Sequence, residues 1–426
     1  MKSPVPDYLQ AVIDSVRSLT GGAVADYIPE LAGANPERLA IAIATVEGAV
    51  YVAGDSKERF SIQSMSKPFT YALAIADRGL AEVAQHIDVE PSGEAFNEIS
   101  LETGTGRPRN PMINAGAIAA HSLIAADSAA QRDARVHDFY SRFAGRELAL
   151  DAELMQSEQS TGDRNLALGH LLKSFGVIDQ DPVAAVNGYI RQCSLTVDVA
   201  DLALMAATLA NGGVQPVTGE RLVDPLIVRQ VLSVMTTCGM YDAAGDWLTT
   251  VGIPAKSGVS GGIIGVLPGQ VGIAVFSPRL DSHGNSVRGV AMMERLSRDM
   301  NLHIMDAARP ARSAMRSRRR VRAGGENATV FELQGDLVFV STEALIRNAV
   351  DNPPDTELVV FDLSRVDEIT DVARRMSIAA TERLKADGKR VVLVDPRKII
   401  APLTLPDGTS PATLDSLEEL EAGGSP

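Results

Sequence analysis

Val199, Leu202, Ala206 and Leu209 recur at i, i+3, i+7 and i+10, and Asn211-Gly212-Gly213 follows them. That spacing puts the four apolar side chains on one helical face, and the Asn-Gly-Gly run is a stop signal. Other apolar runs are short and bounded by turn residues, the pattern of strands. Leu39 to Thr45 and Val50 to Ala53 flank Glu47-Gly48 and predict a hairpin. Gly258 to Val266 and Val271 to Phe276, joined across Pro268-Gly269, predict a second strand pair. Helical segments precede the first hairpin, a helix-rich stretch runs from Ser64 to about Leu209, and a last helix is expected from about Asn285 to Met305. Strands at both ends with helices between imply one sheet, assembled from distant segments, beside a helical subdomain.

The pattern changes beyond residue 308. From 309 to 324 seven arginines are packed with Ala, Ser, Pro and Gly, and no apolar face survives. A charge block of this kind reads as a solvated interdomain linker. A nucleic-acid patch is the sharper alternative, but no aromatics are interleaved for stacking. Docking against an acidic surface of a neighbouring subunit is a third reading. After it, Thr329 to Leu333, Leu358 to Phe361 and Arg390 to Val394 predict strands, and Asp371 to Ala386, followed by Gly388, predicts a helix. Strands separated by a helix of that length suggest a parallel sheet with crossover helices. The organisation expected is therefore 1–308, a linker over 309–324, and a second domain over 325–426.

Composition narrows the class. At 426 residues the chain exceeds what one core usually serves. With 45% hydrophobic and 22% charged residues it is globular, and with 4% aromatics its core must be mainly aliphatic. A net charge of −14 argues against a nucleic-acid partner. No secretory pattern opens the sequence, and no apolar run approaches the roughly 20 residues that span a bilayer. The two cysteines, Cys193 and Cys238, read as free thiols of a reducing compartment, so a cytoplasmic protein without a membrane partner is expected. The six histidines have no ligand spacing and no phosphate-cradling glycine motif occurs, so neither a metal nor a cofactor is expected.

Ser64 and Lys67 are the first candidates for chemistry. Three residues apart on a helix, they share a face. Ser64 follows the turn Phe60-Ser61-Ile62-Gln63, near a helix N-terminus whose free N–H groups favour negative charge. A lysine can deprotonate serine if burial or a second cation leaves it neutral. The bland alternative is a capping serine with an exposed lysine. Lys256-Ser257-Gly258, heading a strand far downstream, changes the balance. Ser-x-x-Lys on a helix followed by Lys-(Ser/Thr)-Gly on a strand is the arrangement of penicillin-recognising serine enzymes.

Longer segments carry a family resemblance. Tyr27-Ile28-Pro29-Glu30-Leu31, Phe60 through Lys67, Asn110-Pro111-Met112-Ile113-Asn114-Ala115-Gly116 and Pro254 through Val259 resemble those of the glutaminase family. Ser157-Glu158 with Arg164-Asn165, Gly188-Tyr189, Gly239-Met240-Tyr241 and Gly284 through Gly289 match as well, in order, over about 20–305. The resemblance implies an α+β β-lactamase/penicillin-binding-protein-like domain, an antiparallel sheet with a helical subdomain. It implies hydrolysis of L-glutamine to L-glutamate and ammonia through a Ser64 glutamyl-enzyme, with Lys67 as general base beside Lys256. Tyr27, Ser64, Asn114, Glu158, Asn165, Tyr189, Tyr241 and Val259 would line the glutamine site. Glu158 suits the substrate ammonium, Asn114, Asn165 and a tyrosine its carboxylate, and the backbone N–H groups of Ser64 and Val259 an oxyanion. Either Tyr189 or Tyr241 would protonate ammonia. Family members assemble as dimers or tetramers, so a homo-oligomer is expected.

The second domain resembles a STAS domain through Leu333-x-Gly335-x-Leu337-x-Phe339 and Val359 through Val366, which implies an α/β fold. It departs from phosphorylated members: Thr370-Asp371-Val372-Ala373 has Val372, without a hydroxyl, at the acceptor position. A scaffold or ligand sensor is expected instead. Two other function classes compete: a β-lactamase, peptidase or esterase-like serine hydrolase, and a non-catalytic STAS-linked regulator. The absent secretory signal opposes the first, and the intact Ser64, Lys67, Tyr241 and Lys256 set opposes the second.

Overall fold

The computed structural model describes residues 2–93, 98–306, 314–323, 325–400 and 403–421. The chain divides into two compact units. One comprises Leu9–Arg295 with Leu302–Ile304, and the other Met1–Tyr8, Leu296–Asn301 and Met305–Pro426.

The first unit has an antiparallel five-stranded sheet in the spatial order Val50–Gly54, Ala40–Thr45, Val271–Phe276, Gly262–Leu267, Ala255–Ser257. Both expected strand pairs form, with Ala42 opposite Val52 and Ile264 opposite Ala274. Its three central strands are buried along their whole length, as their unbroken apolar runs require. The short strand Ala255–Ser257 closes one edge and brings Lys256 with it.

Helices start where their caps dictate. Asp181 accepts from the N–H of Ala184 and is followed by Pro182; Asp224 accepts from Leu226 and is followed by Pro225. An aspartate at the cap satisfies orphan donors, and proline at the first position loses a hydrogen bond that the helix could not make. The helix predicted from its stripe, Val199–Ala210, begins at Asp198 in a reciprocal capping box with Asp201. The helices Lys67–Arg78, Asn114–Leu123, Ala129–Ala144 and Pro182–Cys193 share one apolar core with the sheet. The last helix of this region is Val287–Met300, shorter than expected. Asn301 has φ 57°, a left-handed residue that stops the helix there.

The second unit has a five-stranded sheet in the order Ala412–Leu414, Arg390–Val394, Leu358–Ile369, Glu326–Leu337, Met315–Ala323. The first four strands are mutually parallel, as the crossover pattern predicts. The helices Phe339–Asp351 and Asp371–Ala386 provide two of the connections. Val372, at the start of the second, is fully buried.

The linker expected over 309–324 requires correction. Met315–Ala323 is a strand, antiparallel to Glu326–Leu333; residues 309–313 and 324 lie outside the described residues. The partner strand supplies what the local sequence lacks. Glu332 pairs with Arg319 at 2.8 Å and Arg316 at 3.6 Å, and the Arg318 guanidinium lies 5.1 Å from the Phe331 ring centroid. Charge on an edge strand also discourages pairing with other chains.

Candidate active site

Ser64 lies where a strand gives way to a helix. Phe60–Ser61 pairs with Leu195–Val197, a 3-10 turn spans Gln63–Ser66, and the helix Lys67–Arg78 follows directly. Ser64 is 4% and Lys67 0% exposed, which rules out the surface-cap reading of the pair. Tyr241 enters from a second 3-10 turn, Tyr241–Ala243. Gly239 allows that approach, because a Cβ there would stand 1.7 Å from the Ala255 carbonyl oxygen. The backbone is left-handed at two of these positions, with φ 49° at Gln63 and 58° at Tyr241. Such conformations cost about 1–3 kcal/mol each in residues with a Cβ, and they concentrate at functional sites.

The polar contacts join the residues expected from sequence. The Tyr241 hydroxyl donates to the Ser257 carbonyl at 3.0 Å and is hydrogen-bonded to Ser64. Lys256 Nζ also donates to the Ser257 carbonyl, at 2.8 Å, and lies 3.9 Å from the Tyr241 ring centroid. Lys67 Nζ donates to Asn114 Oδ1 at 2.8 Å and to the Met112 carbonyl at 3.1 Å. Asn114 Oδ1 also accepts from Tyr189 at 3.1 Å, while Asn114 Nδ2 donates to Asn165 at 3.0 Å.

Tyr27 and Val259 arrive through a separate apolar cluster of Ala25, Ile28, Leu31, Leu154, Val259 and Leu280. A hydrogen bond of 2.6 Å from Ser157 to Glu30 joins this segment to the helix Ala152–Ser160, which carries Glu158. Tyr27 as a whole is 52% exposed. Its hydroxyl is nonetheless desolvated enough to raise its pKa, with Tyr241 and Glu158 adding to the rise.

Burial dominates the electrostatics. It lowers Lys67 from 10.5 to about 7, opposed by the Cys193 thiol. It lowers Lys256 well below its usual range, and here the Lys67 charge adds to the effect. Burial raises Tyr241, against its hydrogen bonds with Ser64 and Ser257, and raises Tyr189 strongly. Glu158 rises to about 7 for the same reason, opposed by its hydrogen bond from Gln63.

Several neighbours were not found by sequence reasoning. Gln63 Nε2 donates to Glu158 at 2.6 Å, linking the residue before Ser64 to the carboxylate. Behind the helix start, Tyr140 donates to the Ser66 carbonyl at 2.8 Å and Gln192 to Ser66 Oγ at 3.2 Å. Gln192 Oε1 in turn contacts His121 Nδ1 at 3.1 Å. Gly188 is required for this, since a Cβ would meet His121 Nε2 at 2.2 Å. Nothing in their spacing marks these residues. Arg288, part of a matched motif, is fully buried and donates to the carbonyls of Arg17, Leu19 and Pro36 and to Glu37, an anchoring role. Among the described residues no three His, Cys, Asp or Glu side chains gather as a metal-ligand set.

Residues 22–305 match the family model described as Glutaminase. A glutaminase of Corynebacterium efficiens is 47% identical over 419 residues, covering 98% of each chain. One of Corynebacterium glutamicum is 47% identical over 408 residues, covering 95% of this chain and 98% of the other. A crystal structure of Mglu in its glutamate form superposes with a TM-score of 0.71 at 44% identity, over 94% of this chain and 100% of that one. A probable glutaminase from Bacillus subtilis complexed with 6-diazo-5-oxo-L-norleucine superposes with a TM-score of 0.65 at 30% identity, covering 70% and 96%.

Proposed function

The chain belongs to the glutaminase family, and we propose that it hydrolyses L-glutamine to L-glutamate and ammonia through a Ser64 ester with Lys67 as general base. One observation carries the mechanism: Ser64 is hydrogen-bonded to Tyr241 at the start of a helix whose next turn presents a buried lysine poised near neutrality. The Met112 carbonyl and Asn114 Oδ1 accept from Lys67 Nζ and fix the amine three residues from Ser64, where its neutral form can take the Ser64 proton.

Ser64 Oγ attacks the side-chain amide carbon, and the backbone N–H groups of Ser64 and Val259 hold the oxyanion. The C–N bond breaks as the nitrogen receives a proton from Tyr241, and ammonia leaves. Tyr241 is favoured over Tyr189 because it touches Ser64, whereas the Tyr189 hydroxyl is committed to Asn114. The proton that Lys67 took then passes to the Tyr241 phenolate, which restores both groups; Lys67 next deprotonates water as it attacks the ester carbon, and Ser64 Oγ leaves with that proton as glutamate is released. Glu158 pairs with the substrate ammonium, and Asn114, Asn165 and Tyr27 hold its carboxylate.

Its C-terminal unit acts as a STAS-like scaffold or sensor without a phosphorylation switch, and the enzyme works as a cytoplasmic homo-oligomer. Ammonia release from glutamine and from asparagine, measured for wild type and Ser64→Ala, tests the reaction. Glutamine is expected to be turned over by wild type alone. Undiminished turnover by folded Ser64→Ala would remove the ester from the mechanism.

A further inference from the structure

Ser66 stands between the two groups of the proposed reaction, following Ser64 and Met65 and preceding Lys67. The Lys67 N–H donates to the Ser64 carbonyl, so nucleophile, Ser66 and base belong to one short turn. Two side chains hold Ser66 from behind. Tyr140 donates to its carbonyl at 2.8 Å, and Gln192 Nε2 to its hydroxyl at 3.2 Å. Gln192 is itself fixed: Thr70 donates to its Oε1 at 2.9 Å, and His121 Nδ1 lies 3.1 Å from the same oxygen. Thr70, His121, Tyr140 and Gln192 come from four different helices, and none is more than 1% exposed.

The core around these four side chains is apolar. Desolvating an amide, two hydroxyls and an imidazole costs free energy that an apolar filling avoids, and their mutual hydrogen bonds return little net stability. What such a network supplies is direction, because satisfied hydrogen bonds in a low-dielectric interior fix the orientation of every member. The turn needs an anchor of this kind. Gln63, at its start, holds φ 49°, and a residue with a Cβ persists there only where the surrounding structure over-determines it.

We propose that Gln192 is a positioning residue for the reaction: through the Ser66 hydroxyl it sets how Ser64 and Lys67 face each other. This rests on, and deepens, the reading of Ser64 as nucleophile and Lys67 as base. Gln192 bonds Ser66, Thr70 and His121, none of which is among the residues placed on glutamine.

The test is a double-mutant cycle on the full chain, read in kcat and KM for glutamine, with kcat expressed per folded chain from each variant's unfolding curve. Gln192→Met keeps the side-chain length and removes the amide; Ser66→Ala removes the hydroxyl that the amide holds. Each is expected to lower kcat about ten- to a hundred-fold, the cost of misplacing reacting groups by up to about 1 Å. KM is expected to stay within about three-fold, because Glu158, Asn114, Asn165 and Tyr27 hold the substrate. The double variant should be slower than the slower single variant by no more than about two-fold, since both changes break the same contact. Multiplied losses in the double variant overturn the proposal. So does kcat within about two-fold of wild type for folded Gln192→Met, or a loss carried by KM alone. If Gln192→Met does not fold, Ser66→Ala decides alone: a lower kcat at unchanged KM supports the proposal, and an undiminished kcat overturns it. Ser64→Ala assayed alongside keeps the two readings apart. Retained turnover there removes the ester, whereas the coupling of Gln192 with Ser66 is read from kcat whichever group attacks.

Discussion

Replacing Lys67 by methionine should abolish turnover and yet stabilise the N-terminal unit at neutral pH. Lys67 is completely buried and its pKa is lowered from 10.5 to about 7. A base whose folded pKa lies below its unfolded one penalises folding, because the unfolded chain binds the proton more tightly. The penalty is full below pH 7 and fades as pH rises to 10.5. At about 1.4 kcal/mol for each pH unit, the gap corresponds to about 5 kcal/mol. Methionine removes this term and keeps the packing volume. It also forfeits the hydrogen bonds to the Met112 carbonyl and Asn114 Oδ1, a loss of about 2–3 kcal/mol. Asn114 Oδ1 retains Tyr189 as a donor, which limits that loss. The net expectation is a gain of about 2 kcal/mol at pH 7. By pH 10 most of the wild-type penalty has gone, so there the variant should be less stable by about 1–2 kcal/mol.

Denaturant unfolding followed by Trp247 fluorescence measures this in the right unit. Trp247 is the only tryptophan, is 4% exposed, and donates its indole N–H to the Ile253 carbonyl at 2.8 Å. The informative result is a reversal of sign between pH 7 and pH 10. A variant less stable than wild type at pH 7, or a difference independent of pH, would refute the claim that burial holds Lys67 near neutrality.

The two tyrosines should separate kinetically. Tyr241→Phe is expected to lower kcat by about 10²–10⁴-fold with KM within a few-fold, the signature of a lost general acid; Tyr189→Phe, which loses a bond to Asn114, should lower it about ten-fold, and the reverse order would transfer the role to Tyr189. Glu158 is ionised only above about pH 7, and Lys67 is neutral only above about the same value, so kcat/KM should fall as pH drops through 7. Two protonations predict a limiting slope of about two in log kcat/KM against pH for wild type and about one for Glu158→Gln, whose KM should also rise. A slope unaffected by Glu158→Gln would mean that Glu158 does not titrate in binding.

How legible the fold was depended on whether its cause was local. Asp371–Ala386 and Arg390–Val394 coincide with the expected helix and strand because the capping Thr370 and the following Gly388 are sequence neighbours of what they terminate. Val199–Ala210 was legible from its stripe and its Asn-Gly-Gly stop. Met315–Ala323 was not, because Ser317 and Arg319 interrupt the apolar positions that alternate with Arg316, Arg318, Arg320 and Arg322. Glu332 and Phe331, which hold those arginines, stand on the next strand. The helix end at Met300 was missed because Asn301 gives only a weak stop signal beside glycine.

The same distinction governs the site. Ser64, Lys67 and Lys256 could be named from spacing, and the family resemblance supplied the other residues, because residue type is what those arguments use. Protonation is a property of burial and of distant neighbours, so spacing alone could not assign it. Burial and a second cation at Lys256 were the expected reasons for a neutral Lys67. Burial depresses both amines, and the Lys67 charge adds to the depression of Lys256. Its remaining contacts are the Ser257 carbonyl and the face of Tyr241, the residue bonded to the nucleophile. Lys256 therefore lies against the Tyr241 ring and shares its acceptor. In the proposed mechanism Lys67 serves the deprotonation of Ser64, and Lys256 supports Tyr241, the group that returns a proton.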